Sequence, residues 1–145
     1  MDVVEMRAEL AAGLTGLRTF GISTYPLISG AQALPFAAIG TVQPGQYSTD
    51  YAGSVVETWP LWVVTSRANE AAAVQVLDRA ISTTGDGSVY AAIRALSALE
   101  GKPWRSLTCL AHGSYGLGEK FGTVPTLAVE FTIQIRSRKI PEESP

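Results

Sequence analysis

Cys109-Leu110-Ala111-His112 sets a thiol and an imidazole three residues apart, the two side chains from which a nucleophile or a metal site is built. On a strand, positions three apart face opposite sides of the sheet, and one pair of ligands is too few for a structural zinc site. Cys109 therefore reads as a small buried hydrophobe and His112 as a residue at a strand exit. Ser29, Ser48 and Ser114 each pair on paper with His112 and an aspartate. The run Ala111-His112-Gly113-Ser114-Tyr115-Gly116 nevertheless has the wrong spacing for the G-x-S-x-G elbow that presents a serine nucleophile. Residues 113–120 have the composition of a phosphate loop, but Glu119 precedes Lys120 and Phe121 follows it, where that loop needs Gly-Lys and then Ser or Thr. A hairpin connection that reverses through glycines fits the stretch better. Asp50 and Glu57 share a segment with nothing to drive their pKa values apart, so acid and base roles find no support. No catalytic residue, metal ligand or cofactor-binding residue is assigned, so the residues themselves leave enzyme activity unmotivated. A hydrolase centred on His112 and Ser114 is the enzymatic rival.

The elements that would position these residues follow from length and pattern. At 145 residues, 46% hydrophobic and with a net charge of -2, the chain fits one compact domain over residues 1–139, with a flexible tail at 140–145. Only 17% of residues are charged, which argues against a grip on a phosphate backbone. A single cysteine forbids an internal disulfide, and the first five residues lack the basic and apolar regions of a signal peptide, so an intracellular site of synthesis is expected. No run approaches the roughly 18–20 apolar residues that span a bilayer, so a soluble chain is expected. Residues 19–49 contain no Asp, Glu, Lys or Arg, about a fifth of the chain that burial or a partner surface has to explain.

Val3, Met6, Leu10, Leu14 and Leu17 recur at three and four, predicting an amphipathic helix that Asp2 is placed to cap and that Gly16 ends or weakens. Residues 18–23 read as a short extended piece leading to Pro26. Residues 34–41 predict a short strand with Pro35 at its start, and residues 44–53 a loop carrying Tyr47 and Tyr51. Residues 55–65 have apolar side chains at odd and even positions, predicting a central strand in which Pro60 must sit at a bulge or an unpaired edge position. A helix over residues 71–81 follows, capped by Ser66 or Asn69, with a seam of Ala73, Val74, Leu77, Ala80 and Ile81. A second short helix is marked by Val89, Ala92, Ile93 and Leu96, with Asp86 or Ser88 as its cap. A strand over 105–111, a glycine-rich connection over 112–122 and a strictly alternating strand over 127–136 complete the order. The fold class is α+β, a mixed and mostly antiparallel sheet packed against two or three helices.

Trp59 and Trp62 lie three apart on the central strand and so face opposite ways. That suits a sheet covered by helices on one face and by something else, such as a neighbouring subunit, on the other. Arg136, Arg138 and Lys139 end the last strand, where they solubilise it or meet an acidic partner.

In this order of elements, over residues 2–139, the chain resembles the tail terminators of long-tailed phages and the related head-tail completion proteins of the neck. The likeness lies in the first helix, the apolar strand at 34–39, the Tyr-bearing loop before a strand ending Trp62-Val63-Val64, the Ala-rich helix to Ile81, the short helix at 89–96 and the paired strands around Leu107 and Val129. It implies a structural virion protein, made in the host cytoplasm and located at the tail end, with no cofactor, metal or membrane contact. Such a protein assembles as a ring, usually a hexamer, on the last ring of tail tube protein. There it stops polymerisation and offers a surface to the head-tail connector or stopper, while DNA passes through the channel without specific binding. Tyr47, Asp50, Tyr51, Tyr115, Glu119, Lys120, Arg136 and Arg138 are the candidate interface residues. The alternatives are another neck protein, for head completion or stopping, or a non-viral small-ligand-binding domain using a cleft between the Trp strand and the glycine loop. The charge-free residues outside the strand at 34–39 would be surface that meets symmetry mates at little desolvation cost.

Overall fold

The fold was analysed in a computed structural model that describes residues 3–26, 34–40, 47–49, 55–68, 70–102, 104–117 and 126–137. The apolar spacing of the N-terminal segment forms two helices, α1 (Val3–Gly13) and α2 (Thr15–Thr19). Leu14, at φ -81 and ψ 58, breaks the helix between them. The break falls before Gly16, and it leaves Met6, Leu10, Leu14 and Leu17 all buried. Arg18 reaches back to donate to the carbonyls of Ala11 and Ala12, at 3.1 and 2.7 Å, and so satisfies acceptors that the end of α1 leaves open. Arg18 and Thr19 are therefore helical, where an extended segment was expected; the strand β1 is only Ser23–Tyr25. The expected cap Asp2 lies outside the described residues.

β2 (Phe36–Ile39) runs parallel to β1 and antiparallel to β4 (Val55–Ser66). β3 (Tyr47–Thr49) lies within the segment expected to be loop and pairs with the start of β4, on the strand edge that β2 uses further along. Pro60 lies between these two partners. Its carbonyl accepts from the Gly40 N–H at 2.8 Å, and the return bond, which proline cannot donate, falls where the β2 ladder stops. The unpaired edge position expected for Pro60 is thus supplied by the gap between two short partners, while its other edge stays in register with Thr132.

α3 (Glu70–Ile81) buries Ala73, Leu77 and Ala80, with Val76 and Ile81 packed against the same core. Ser66 accepts from the Ala68 N–H instead of capping α3, and Asn69 lies outside the described residues. α4 (Val89–Ser97) is capped by Ser88, which is extended and accepts from the Ala91 N–H at 3.1 Å. Val89, Ala92, Ile93 and Leu96 are its buried face.

The chain continues through β5 (Trp104–His112), the two-residue β6 (Gly116–Leu117) and β7 (Thr126–Ser137). The sheet order is β1-β2-β4-β7-β5, with β3 on β4 and β6 on β7. The architecture is α+β, with four helices among the described residues in place of two or three because Leu14 divides the first. The large buried residues of all four described helices join one face of the sheet, through Ala37, Ile39, Trp59, Leu61, Val63, Val129, Phe131, Ile133 and Ile135. The other face gathers Phe36, Ala38, Val64 and Ala128 with Tyr25, Leu34 and Trp62, all from strands and their flanks. The opposed faces expected for Trp59 and Trp62 are those observed.

Candidate functional site

The pairing of β5 with β7 shifts register at two places, between Trp104 and Ser106 and between Cys109 and Ala111, and the second shift builds a polar cluster. Cys109 lies opposite Ile133, but Ala111 lies opposite Thr132 and His112 opposite Phe131, so the register shifts between Cys109 and Ala111. A bulge inserts one residue and reverses the facing of everything beyond it. Cys109 and His112 consequently share the helix-side face, which corrects the expectation of opposite faces. Tyr90 of α4 joins them: its hydroxyl lies 2.7 Å from His112 Nδ1, and its ring meets Phe131 edge-on. Burial pushes the Cys109 thiol up to about 11, against the opposing pull of the Ala111 N–H and the Tyr90 hydroxyl, both of which favour the thiolate. A thiol held neutral in this way is a poor nucleophile. Among the described residues no group of three or more His, Cys, Asp and Glu side chains converges to hold a metal ion.

The glycine-rich connection is anchored rather than open at its first half. The Gly113 N–H donates to the Glu130 carbonyl at 2.9 Å, and Gly116 and Leu117 pair with Ala128 and Leu127. The Tyr115 hydroxyl donates to Asp78 Oδ1 of α3 at 2.5 Å. Burial, and then the Asp78 carboxylate, drive the Tyr115 phenol far above its ordinary pKa. Ser114 is exposed beside it, and His112 is engaged with Tyr90.

At the other end of the sheet Tyr47 lies opposite Glu57, and Arg136 lies half-buried between Val56 of β4 and Ser106 of β5. Tyr115 is anchored near Glu130, six residues from Arg136 along β7, or about 20 Å at strand rise. The candidates Tyr47, Tyr115 and Arg136 thus divide between two ends of one sheet. Asp50, Tyr51, Glu119, Lys120 and Arg138 lie outside the described residues.

Glu57, weighed only as a possible partner of Asp50, is buried and accepts from Trp59 Nε1 at 2.5 Å. Arg7 of α1 lies over the same indole, 5.0 Å from its ring centre, and donates to the carbonyls of Pro26 and Ile39. Burial lowers the Arg7 pKa, opposed by the Glu57 carboxylate. Glu57 and Trp59 stand two apart on a strand and so share a face, the one signal of this cluster that the sequence contains.

Two cavities border α4. One, of about 370 Å³, lies against β5 and is lined by Tyr90, Arg94, Ser97, Leu107 and Cys109; the other, of about 450 Å³, lies against α2 and is lined mainly by glycine and alanine. Neither is the cleft expected between the Trp strand and the glycine loop. No described helix is long and apolar enough to cross a membrane. Compared with known proteins, the chain matches no family model and no curated sequence.

Proposed function

We propose that this chain is a structural virion protein, a tail terminator. It assembles as a ring, hexameric by resemblance, on the end of the phage tail tube, ends tube polymerisation and offers the surface for head-tail joining. The observation that carries this reading is the one-sided helix layer. Every described helix packs on the Trp59 face, and the Trp62 face is built from strand residues and their flanks. A sheet of this kind can take a second protein layer on its other side. The division of the candidate residues between two ends of the sheet suits a ring that meets tube protein on one side and a connector or stopper on the other. In this role the chain catalyses nothing and needs no cofactor, and DNA passes its channel without specific contacts.

The test is native mass measurement and electron microscopy of the full chain mixed with assembling tail tube protein. Ring-sized species and tubes of limited length are expected. A chain that stays monomeric in the presence of tube protein and leaves tube length unchanged sinks the reading. Deleting residues 46–50 asks which loop is responsible, with loss of rings or overlong tubes expected.

The cavity between α4 and β5 favours a second reading, a small-ligand-binding domain, because Arg94, Ser97, Tyr90 and Cys109 bring polar atoms to a partly apolar wall. Thermal-shift screening against small anionic metabolites tests it, and a hit abolished by Arg94→Ala would move the assignment away from the ring.

A further inference from the structure

We infer that the cavity between α4 and β5 binds an α-amido carboxylate, the group found at the C-terminal end of a peptide and in a free N-acyl amino acid. Arg94 takes the carboxylate, and the open edge of β5 takes the amide. The inference rests on the reading of this cavity as a ligand site and takes nothing from ring formation.

One wall of the cavity is main chain. Among the described residues β5 pairs only with β7, so its far edge has no strand neighbour. The Leu107 N–H points to that edge, because it donates to Ser97 Oγ of α4 at 3.0 Å. The ladder is regular from Ser106 to Cys109, so alternation turns the Leu107 carbonyl and the Cys109 N–H the same way. Both residues line the cavity. The edge therefore offers an acceptor and a donor side by side, which is what an amide needs and what a plain hydrocarbon acid leaves unused.

The opposite wall is α4, where Tyr90, Arg94 and Ser97 follow at four and three and share one face. Arg94 is the one charged side chain among the described residues of the lining. It donates from one nitrogen to the Thr83 carbonyl at 2.8 Å, which steadies the guanidinium and leaves its other N–H groups for an anion. Ser97 accepts from Leu107 but, unlike Thr19 and Ser82, does not return its own O–H to the carbonyl one turn back, so that hydrogen is also left to donate. The Cys109 thiol stays neutral to about 11 and adds no negative charge to the wall. Ile93, Ala98 and Leu107 supply an apolar floor for a side chain. At about 370 Å³ the cavity is at the small end of ligand pockets, room for one residue and its flanking amide.

The experiment titrates the full chain with N-acetyl-leucine, N-acetyl-leucinamide, isocaproate and the peptide acetyl-Ala-Ala-Leu with a free C terminus, read by calorimetry and by amide chemical shifts. N-acetyl-leucine is expected to bind, with shifts centred on Ser97, Leu107 and Cys109. N-acetyl-leucinamide, which lacks the carboxylate, and isocaproate, which lacks the amide, should each bind about tenfold more weakly. Arg94→Gln should abolish the preference for the acid over its amide; if that variant unfolds, the comparison on the wild type carries the test alone. The peptide separates the two sources, with tighter binding than N-acetyl-leucine assigning a peptide end and weaker binding a free acylamino acid. Equal affinity for the acid and its amide, equal affinity for N-acetyl-leucine and isocaproate, or shifts outside the cavity each overturns the inference. Absence of N-acetyl-leucine binding overturns it too, and the small-anion screen then decides the broader reading separately: hits that depend on Arg94 keep the ligand site, and none removes it.

Discussion

Arg7 lies over Trp59, with its guanidinium carbon 5.0 Å from the ring centre, while the indole N–H of the same tryptophan donates to the buried carboxylate of Glu57. A cation on one side of the indole and an anion at its edge hold α1 to the start of β4, and the Arg7 bonds to Pro26 and Ile39 extend that hold to the β1 and β2 ends. Arg7→Met keeps the aliphatic stem over the ring and removes the charge and both donors. A loss of about 2 kcal/mol is expected from the cation–π contact and the two hydrogen bonds, read as a lower urea midpoint with an unchanged slope. Arg7→Lys should recover only part of it, because an ammonium cannot reach two carbonyls and stack at once.

Two glycines at positive φ separate strain from contact. Gly87 has φ 83 and Gly101 φ 79. A Cβ at Gly87 would stand 2.8 Å from the Phe20 ring and from Arg79 Cγ, whereas one at Gly101 would meet nothing within 4 Å. Gly101→Ala should cost about 1 kcal/mol, the conformational penalty alone, and Gly87→Ala more than twice that, because Phe20 and Arg79 must also move. Equal costs in chemical denaturation would show that the Phe20 contact yields freely.

Ser88 has two tasks, accepting from the Ala91 N–H and donating to the Ser82 carbonyl. Ser88→Ala should destabilise the protein by about 1–2 kcal/mol. The loss should show first as faster amide exchange in the opening turn of α4.

The Cys109 thiol, pushed up to about 11, should alkylate slowly at neutral pH. Its rate should climb about tenfold per pH unit to near that value, where a free cysteine levels off around 8.5. Folding linkage has a definite sign here. Between the unfolded pKa and the folded one the unfolded chain holds fewer protons, so stability falls as pH rises through that window. Cys109→Ala should flatten this fall, measured as the urea midpoint from pH 8 to 11.

The sequence by itself determined most of the elements, because periodicity is a local property. Leu127, Val129, Phe131, Ile133 and Ile135 alternate with Ala128, Glu130, Thr132, Gln134 and Arg136, and β7 is the strand they require. Val89, Ala92, Ile93 and Leu96 likewise determine which face of α4 is buried. Where the period met a second constraint, reading along the chain fell short. Met6 to Leu17 keep one apolar stripe through a helix break that the stripe does not reveal. Residues 47–49 carry no strand pattern of their own and become β3 only because β4 offers an edge.

The candidate site was less legible for the same reason. Spacing alone placed Cys109 and His112 on opposite faces, and a one-residue bulge against β7 put them together beside Tyr90. Tyr115 was named only as a candidate interface residue, and Asp78, its partner, is 37 residues away and on a helix. Glu57 was weighed only beside Asp50, whereas the fold buries it with its carboxylate on the Trp59 indole N–H. Apolar periodicity records which face of an element avoids water. Register, bulges and polar pairings depend on which element comes to lie beside it, and only the tertiary structure decides that.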